Sequence, residues 1–258
     1  HGAFLKQSLI NAGVDVRGLI EADDVFTTLA FVALQPNGER EFSFARKPGA
    51  DTQLRSDEVD ADMLEHTRIF HTGSLSLTQE PVRSATYEAI DRAKAAGAII
   101  SYDPNYRASL WGSKDEAIRY MRSLISTADI MKVSDEELPL LTGETDPEQA
   151  TDVLLDQGVK LVAVTLGAKG AFIRVRSESR LVPGFRSNAI DTTGAGDAFF
   201  GGFLYRFLCS EKALKDVTLE DAADYARFGN ATASLCVEQR GGIPAMPILA
   251  DILCRLGE

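Results

Sequence analysis

Residues 191–203 read DTTGAGDAFFGGF and join a glycine turn, the start of a helix and a carboxylate within thirteen positions. Gly194, Ala195 and Gly196 have almost no side chains, so a ligand can approach their backbone closely. The apolar pattern over 198–208 predicts a buried helix, whose first N–H groups would favour a bound anion. Asp197 falls in the first turn of that helix. An acidic residue is also ordinary at a helix start, so this pattern alone leaves both interpretations open.

The composition is ordinary for a globular protein, and it does not argue against a small anion as a ligand. The chain has 258 residues, 45% of them hydrophobic, which is enough for one large domain over 1–258. The net charge of −11 argues against nucleic acid as the main partner. No apolar run is long enough to span a membrane, and three scattered cysteines favour reduced thiols in a cytoplasmic protein.

The order of predicted elements favours an α/β fold. Residues 25–34 and 40–46 predict a hairpin around a turn at 36–39, which would project as a small β flap. From residue 68 onwards, buried strands alternate with amphipathic helices, which predicts a mostly parallel sheet covered on both faces. Short strands are predicted at 68–73, 98–102, 130–133, 161–165 and 171–176.

Polar residues and glycines follow the carboxyl ends of three predicted strands, where open α/β sheets bind ligands. They are Asp103, Asn105 and Arg107 after the first, Ser134 and Glu137 after the second, and Thr165 and Gly167 after the third. The sequence therefore predicts that these residues line one rim together with the glycine turn.

These motifs together resemble the ribokinase/pfkB carbohydrate kinase family, and within it the fructokinases. The stretch 191–199 matches the family's carboxyl-terminal signature without a departure. Further similarity lies in 27–32, 49–51, 73–74, 103–107, 110–111, 132–138, 141–143 and 164–170. The resemblance implies a three-layer ribokinase-like sandwich with a mostly parallel central sheet and a β lid at about 25–46. It also implies a homodimer formed through that lid.

The resemblance implies phosphoryl transfer from ATP to a sugar hydroxyl. Asp197 would be the base, and the amides of Gly194, Ala195 and Gly196 would hold the γ-phosphoryl oxygens. Asp103, Asn105 and Arg107 would contact the sugar. For Arg107, a surface salt bridge is the alternative.

Nucleotide contacts are implied at a second group of positions. Ser134 and Glu137 match the family's Asn-x-x-Glu motif with Ser in place of Asn, and Glu137 would act on Mg²⁺ through water. Ser-x-x-Glu is also an ordinary capping box. Thr165 and Gly167 would touch the phosphates. Asn230 would lie on the adenine side, or be a simple polar residue within a long helix.

A monovalent cation such as K⁺ would be held by Asp191 and by the carbonyls of Thr193, Gln239 and Gly241. Ala245 stands where some members have a Ser hydroxyl, so a cation ligand that those members supply is missing here. By family comparison, an amino-terminal segment of roughly 50 to 60 residues that contributes sugar contacts is expected before His1.

The interpretation that the resemblance favours is a fructokinase that makes fructose 6-phosphate. Two alternatives remain open. One is a kinase for another sugar, such as 2-keto-3-deoxygluconate or a riboside, and the other is a catalytically silent sugar- or nucleotide-binding regulator.

Overall fold

The computed structural model describes residues 1–34 and 40–258, so the predicted turn at 36–39 lies outside the described residues. The chain divides into two compact units, residues 1–127 and 128–258. Each unit is described by itself. Within the described part of the chain, none of the helices combines the length and the apolar character needed to cross a membrane.

The first unit contains the predicted hairpin and a strand–helix–strand motif. Strands β1 and β2 pair antiparallel, which confirms the hairpin, and β3 and β4 pair parallel on either side of α3. Helix α3 buries Ala85, Ala89, Ile90 and Ala93, the apolar positions at helical spacing. The elements are α1 (Gly2–Asn11), β1 (Leu29–Leu34), β2 (Arg40–Ala45), α2 (Ala61–His66), β3 (Ile69–Gly73), α3 (Val82–Ala95), β4 (Ile99–Asp103) and α4 (Lys114–Ser123).

The second unit combines four hydrogen-bonded strands with helices. Strands β5 and β6 pair parallel, and β6–β7 and β7–β8 pair antiparallel. Its elements are β5 (Ile130–Ser134), α5 (Leu138–Leu141), α6 (Pro147–Asp156), β6 (Leu161–Thr165), β7 (Gly170–Val175), β8 (Glu178–Pro183), α7 (Ala195–Cys209), α8 (Leu219–Cys236) and α9 (Leu249–Leu256).

Strand β8 is absent from the sequence prediction. Its burial follows no clean alternation, and Val182 is its one fully buried residue. The chain reverses between β6 and β7 at a corner made of a three-residue 3-10 helix, Gly167–Lys169, which is followed directly by Gly170. Gly170 has a φ of +103°, and a side chain there would collide with the backbone of residues 182–184. Glycine at this corner therefore allows β8 to lie close against the start of β7.

Helices α7 and α8 pack closely against each other. A Cβ atom added at Gly202 would lie 3.3 Å from the Cα atom of Gly229, so the two backbones approach closely at these glycines. The ring of Tyr225 on α8 meets Phe203 and Phe207 edge-on, at centroid distances of 5.7 Å for each pair. Tyr205 was expected in the buried face of α7 but is 44% exposed. Its ring packs beside Phe228 and only part of it is covered.

Candidate active site

Helix α7 begins without a side-chain cap. Gly194 occupies the N-cap position with a φ of +77°, a conformation that favours glycine, and no side chain accepts from the first turn. The Ala195 N–H donates to the Thr192 carbonyl at 3.2 Å, so this amide already has a partner. Asp197 is exposed, and within the described residues nothing hydrogen-bonds to its carboxylate. The glycine turn therefore leaves a helix N-terminus and a carboxylate accessible side by side.

A cavity of about 380 Å³ opens beside this turn, within the size range of small-molecule sites. Five residues that the sequence singled out line it: Thr165, Gly167, Ala195, Gly196 and Asn230. The structure thus brings together the end of β6, the start of α7 and the middle of α8. The other lining residues are ones to which the sequence gave no individual role: Ala168, Gly170, Gly184, Phe185, Ser187, Ala189, Thr192, Phe199, Ala233, Ser234 and Val237.

The largest group among these, Gly184, Phe185, Ser187 and Ala189, comes from the segment that follows β8. Residues 184–189 have no regular structure, and they form no periodic pattern that would have marked them in the sequence. The amide of Asn230 ties this region to α8, because its Nδ2 donates to the carbonyls of Val182 at 3.1 Å and Pro183 at 3.2 Å. Asn230 is therefore both a lining residue and a fixed link between α8 and the end of β8.

Ser134 and Glu137 form a local pair at the end of β5. One carboxylate oxygen of Glu137, Oε2, accepts from the Ser134 backbone N–H at 2.9 Å and from its hydroxyl at 2.8 Å. Glu137 is buried, and neither residue lines the cavity. The bonds to Ser134 are half of a capping-box arrangement, so the structural interpretation of Ser-x-x-Glu has direct support. Strand pairing places Ser134 opposite Thr165, which does line the cavity.

Asp191 joins the glycine turn to the loop after α8. Its Oδ1 accepts from the Thr193 N–H at 2.9 Å and its Oδ2 accepts from the Gly241 N–H at 3.0 Å. The predicted cation ligands Asp191, Thr193 and Gly241 are thus neighbours, whereas Gln239 is exposed and its N–H donates to the Cys236 carbonyl. Across the described residues, no group of three or more His, Cys, Asp or Glu side chains could hold a metal ion.

A buried thiol lies next to the same turn. The Cys236 sulfur is 3.8 Å from the Thr193 carbonyl oxygen. Burial raises the pKa of the Cys236 thiol, and the carboxylates of Asp197 and Asp191 raise it further. Cys236 therefore stays protonated and is a packing residue rather than a reactive thiolate.

The predicted sugar contacts lie in the first unit, after β4. Asp103 is buried, and its Oδ1 accepts from the Asn105 N–H at 3.2 Å. Asn105 has a φ of +47°, which lets the chain turn directly after the strand. Arg107 is exposed and donates to the neighbouring Tyr106 carbonyl at 2.9 Å. Asp103 is thus held in place by its surroundings, whereas the Arg107 guanidinium remains accessible to solvent.

Comparison with known proteins decides the family. The pfkB family carbohydrate kinase profile matches residues 1–249. The chain belongs to the pfkB family of carbohydrate kinases. The resemblance predicted from the motifs is thereby confirmed, and with it the class of enzyme.

Individual pfkB-family relatives agree with this assignment. Fructokinase-1 of Zea mays is 40% identical over 255 residues, which cover 98% of this chain and 78% of the relative. A fructokinase structure from Vibrio cholerae O395, with fructose, ADP and calcium bound, has a TM-score of 0.90 at 33% identity and covers 99% of this chain and 81% of its own. An aminoimidazole riboside kinase from Salmonella enterica, complexed with the riboside and an ATP analogue, has a TM-score of 0.85 at 30% identity, covering 98% and 81%. These likenesses confirm the predicted ribokinase-like α/β fold.

Proposed function

We propose that this pfkB-family kinase transfers the γ-phosphoryl group of ATP to fructose and forms fructose 6-phosphate. The observation that carries the proposal is the start of α7 beside a cavity, where no side chain caps the helix and the Asp197 carboxylate is exposed. Named fructokinases among the relatives, at 40% identity over nearly the whole chain, support fructose as the acceptor.

The roles of the nucleotide residues follow from their positions. The partly apolar cavity next to Asn230 fits an adenine base, and Thr165, Gly167 and Gly196 would contact the phosphates. The N-terminal N–H groups and dipole of α7 favour the negative charge that develops on the γ-phosphoryl oxygens. A bound Mg²⁺ would neutralise part of the phosphate charge, and Glu137 is the carboxylate proposed to hold it through water.

The transfer step needs a base for the sugar hydroxyl. Asp197 accepts the hydroxyl proton while the sugar oxygen bonds to the γ-phosphorus and the bond to the β–γ bridging oxygen breaks. ADP leaves with that oxygen. Of the amides predicted for the cradle, that of Ala195 would have to exchange its Thr192 partner for phosphate, whereas the amide of Gly196 lies within the first helical turn.

The remaining assignments belong to the same proposal. Asp103, Asn105 and Arg107 would recognise the sugar, and the hairpin β1–β2 would act as the lid that keeps water from the transferring group. Residues 1–258 would then work as one kinase domain. The proposal also includes a homodimer formed through this hairpin, a cytoplasmic location and a K⁺ ion bound beside Asp191.

An ADP-release assay across a panel of acceptors tests the proposal. Fructose should give the highest kcat/KM, above 2-keto-3-deoxygluconate and above a purine-precursor riboside, which represents the acceptor class of the Salmonella relative. ADP release with fructose that does not exceed the sugar-free control would reject fructose. Binding of both ATP and sugar without any ADP release would instead identify a silent regulator.

A further inference from the structure

Lys132 is a buried cation for which the sequence predicted no role. It lies in the middle of β5, and only 6% of its surface is exposed. Burial of an ammonium group costs several kcal/mol unless acceptors compensate for the lost water. A lysine buried in this strand therefore needs acceptors close to its ammonium, from the protein or from a bound anion.

The position of the ammonium is defined by Gly196. A Cβ atom added at Gly196 would lie 3.0 Å from Lys132 Nζ and 3.5 Å from its Cε. Gly196 is the second residue of α7, it lines the cavity, and it directly precedes Asp197. The ammonium thus lies against the same helical turn that presents the proposed base.

Ser134 lies on the same face of strand β5 as Lys132. Side chains two residues apart point to the same side of a strand, so Lys132 shares its face with Ser134. Ser134 in turn holds the Glu137 carboxylate. One strand therefore carries a cation and the support of the carboxylate proposed to act on Mg²⁺.

We propose that the Lys132 ammonium donates a hydrogen bond to an oxygen of the γ-phosphoryl group of ATP and stabilises its charge during transfer. The inference rests on the proposed function, because it assigns a further residue to the same site. Lysine suits this role as a compact point charge with three donors. Lys132 also has an interaction within the protein, and three donors allow it to keep that partner while it binds phosphate. The ammonium keeps its protons throughout.

Nucleotide affinities in the absence of sugar provide the first test. Lys132→Met removes the charge, and calorimetric titration with MgATP and with MgADP should show a Kd for MgATP that rises about tenfold or more. The Kd for MgADP should change by less than about threefold, because ADP lacks the γ-phosphoryl group. A structural role alone would weaken both nucleotides equally, and equal weakening would overturn the proposal.

Turnover and matched variants complete the design. In Lys132→Met, kcat should fall about 10²-fold, the loss typical of one electrostatic donor in a transition state, and Lys132→Arg should restore part of it. Lys160→Met is the control, because Lys160 is an exposed lysine paired with Asp129 just before β6. If Lys132→Met fails to fold, Gly196→Ala keeps the lysine but crowds its ammonium, and it should reproduce the selective loss of MgATP affinity.

The two proposals can fail separately. A wild-type protein that binds MgATP but phosphorylates no sugar would reject the proposed function, and the ratio of MgATP to MgADP affinities would still decide the role of Lys132. A protein that phosphorylates fructose with an unchanged ratio and an unchanged kcat in Lys132→Met would reject Lys132 alone.

Discussion

Helices α7 and α8 pack against each other, yet their N-termini are built in opposite ways. At α8, the Thr218 hydroxyl accepts from the Asp221 N–H, and the Asp221 carboxylate accepts from the N–H and the hydroxyl of Thr218. At α7, Gly194 provides no side chain and the Asp197 carboxylate has no hydrogen-bond partner among the described residues. Both aspartates are the third residue of their helix.

The comparison shows how one residue type at one helical position can serve stability or chemistry. A capping box satisfies the free donors of a helix start with the protein's own side chains. A glycine N-cap leaves those donors and the third-position carboxylate available to something outside the helix. The start of α7 therefore gives up a cap worth about 1 kcal/mol and retains an open anion site.

The largest effect is expected from Asp→Asn at the third residue of α7, with the same substitution at the third residue of α8 as its control. Asp197→Asn should lower kcat by about 10²- to 10⁴-fold, because an amide cannot accept the hydroxyl proton. MgATP should still bind. Steady-state kinetics with fructose measure the loss. Denaturant unfolding should show a free energy of unfolding lowered by less than about 1 kcal/mol, because the carboxylate has no hydrogen-bond partner in the described structure and only its charge near the helix N-terminus is lost.

Asp221→Asn is the matched control for this experiment. It should leave kcat within about twofold of wild type, because the partners of the Asp221 carboxylate are Lys212 and Thr218, neither of which lines the cavity. Turnover in Asp197→Asn that equals wild type would remove Asp197 as the base and would leave the two helix starts functionally alike.

The next effect contrasts the exposed face of α7 with the face that packs against α8. Gly201 is exposed with nothing near an added Cβ atom, whereas a Cβ atom at Gly202 would lie 2.5 Å from the Thr232 hydroxyl oxygen. Gly201→Ala should raise the free energy of unfolding by about 0.5–1 kcal/mol through helix propensity. Gly202→Ala should lower it by about 1–3 kcal/mol because the α7–α8 contact is overpacked.

Urea unfolding of both variants checks this pair, with wild type as the reference. The helix-propensity gain is common to the two substitutions, so their difference isolates the packing between the helices. Stabilisation of the protein by Gly202→Ala would show that α7 and α8 can separate at this crossing without cost.

Local sequence predicted the start of α7 well, and tertiary contacts account for what it missed. The spacing of Gly194, Gly196 and Asp197 is enough to predict a glycine turn that opens a helix, because turn and cap conformations depend on adjacent residues. The cavity wall at 184–189 follows from how β8 pairs with β7, and that pairing has no periodic signal in the sequence. Lys132 was missed because the burial of a charge becomes visible only when β5 and α7 are placed together.

The smallest effect concerns the pH dependence of the capped helix start. The Lys212 ammonium and the Thr218 N–H hold the pKa of Asp221 at about 2, below its ordinary value of 3.8. A lowered folded-state pKa stabilises the protein above about pH 4, and this contribution is lost as the pH falls towards 2. Because the ion pair is partly exposed, Asp221→Asn should cost only about 1 kcal/mol at pH 7. The difference in free energy of unfolding between wild type and Asp221→Asn, measured in urea from pH 7 to pH 3, should shrink below pH 4.

Asp251 provides the matched control for that titration, since it is the third residue of α9 but has no capping partner at Ile248. Asp251→Asn removes only a charge near a helix N-terminus, so it should destabilise the protein less than Asp221→Asn at pH 7. A difference between wild type and Asp221→Asn that stays the same at pH 3 and pH 7 would mean that folding does not lower the pKa of Asp221. The contrast with α7 would then rest on the glycine N-cap alone, because both third-position aspartates would lack a charge-dependent role in stability.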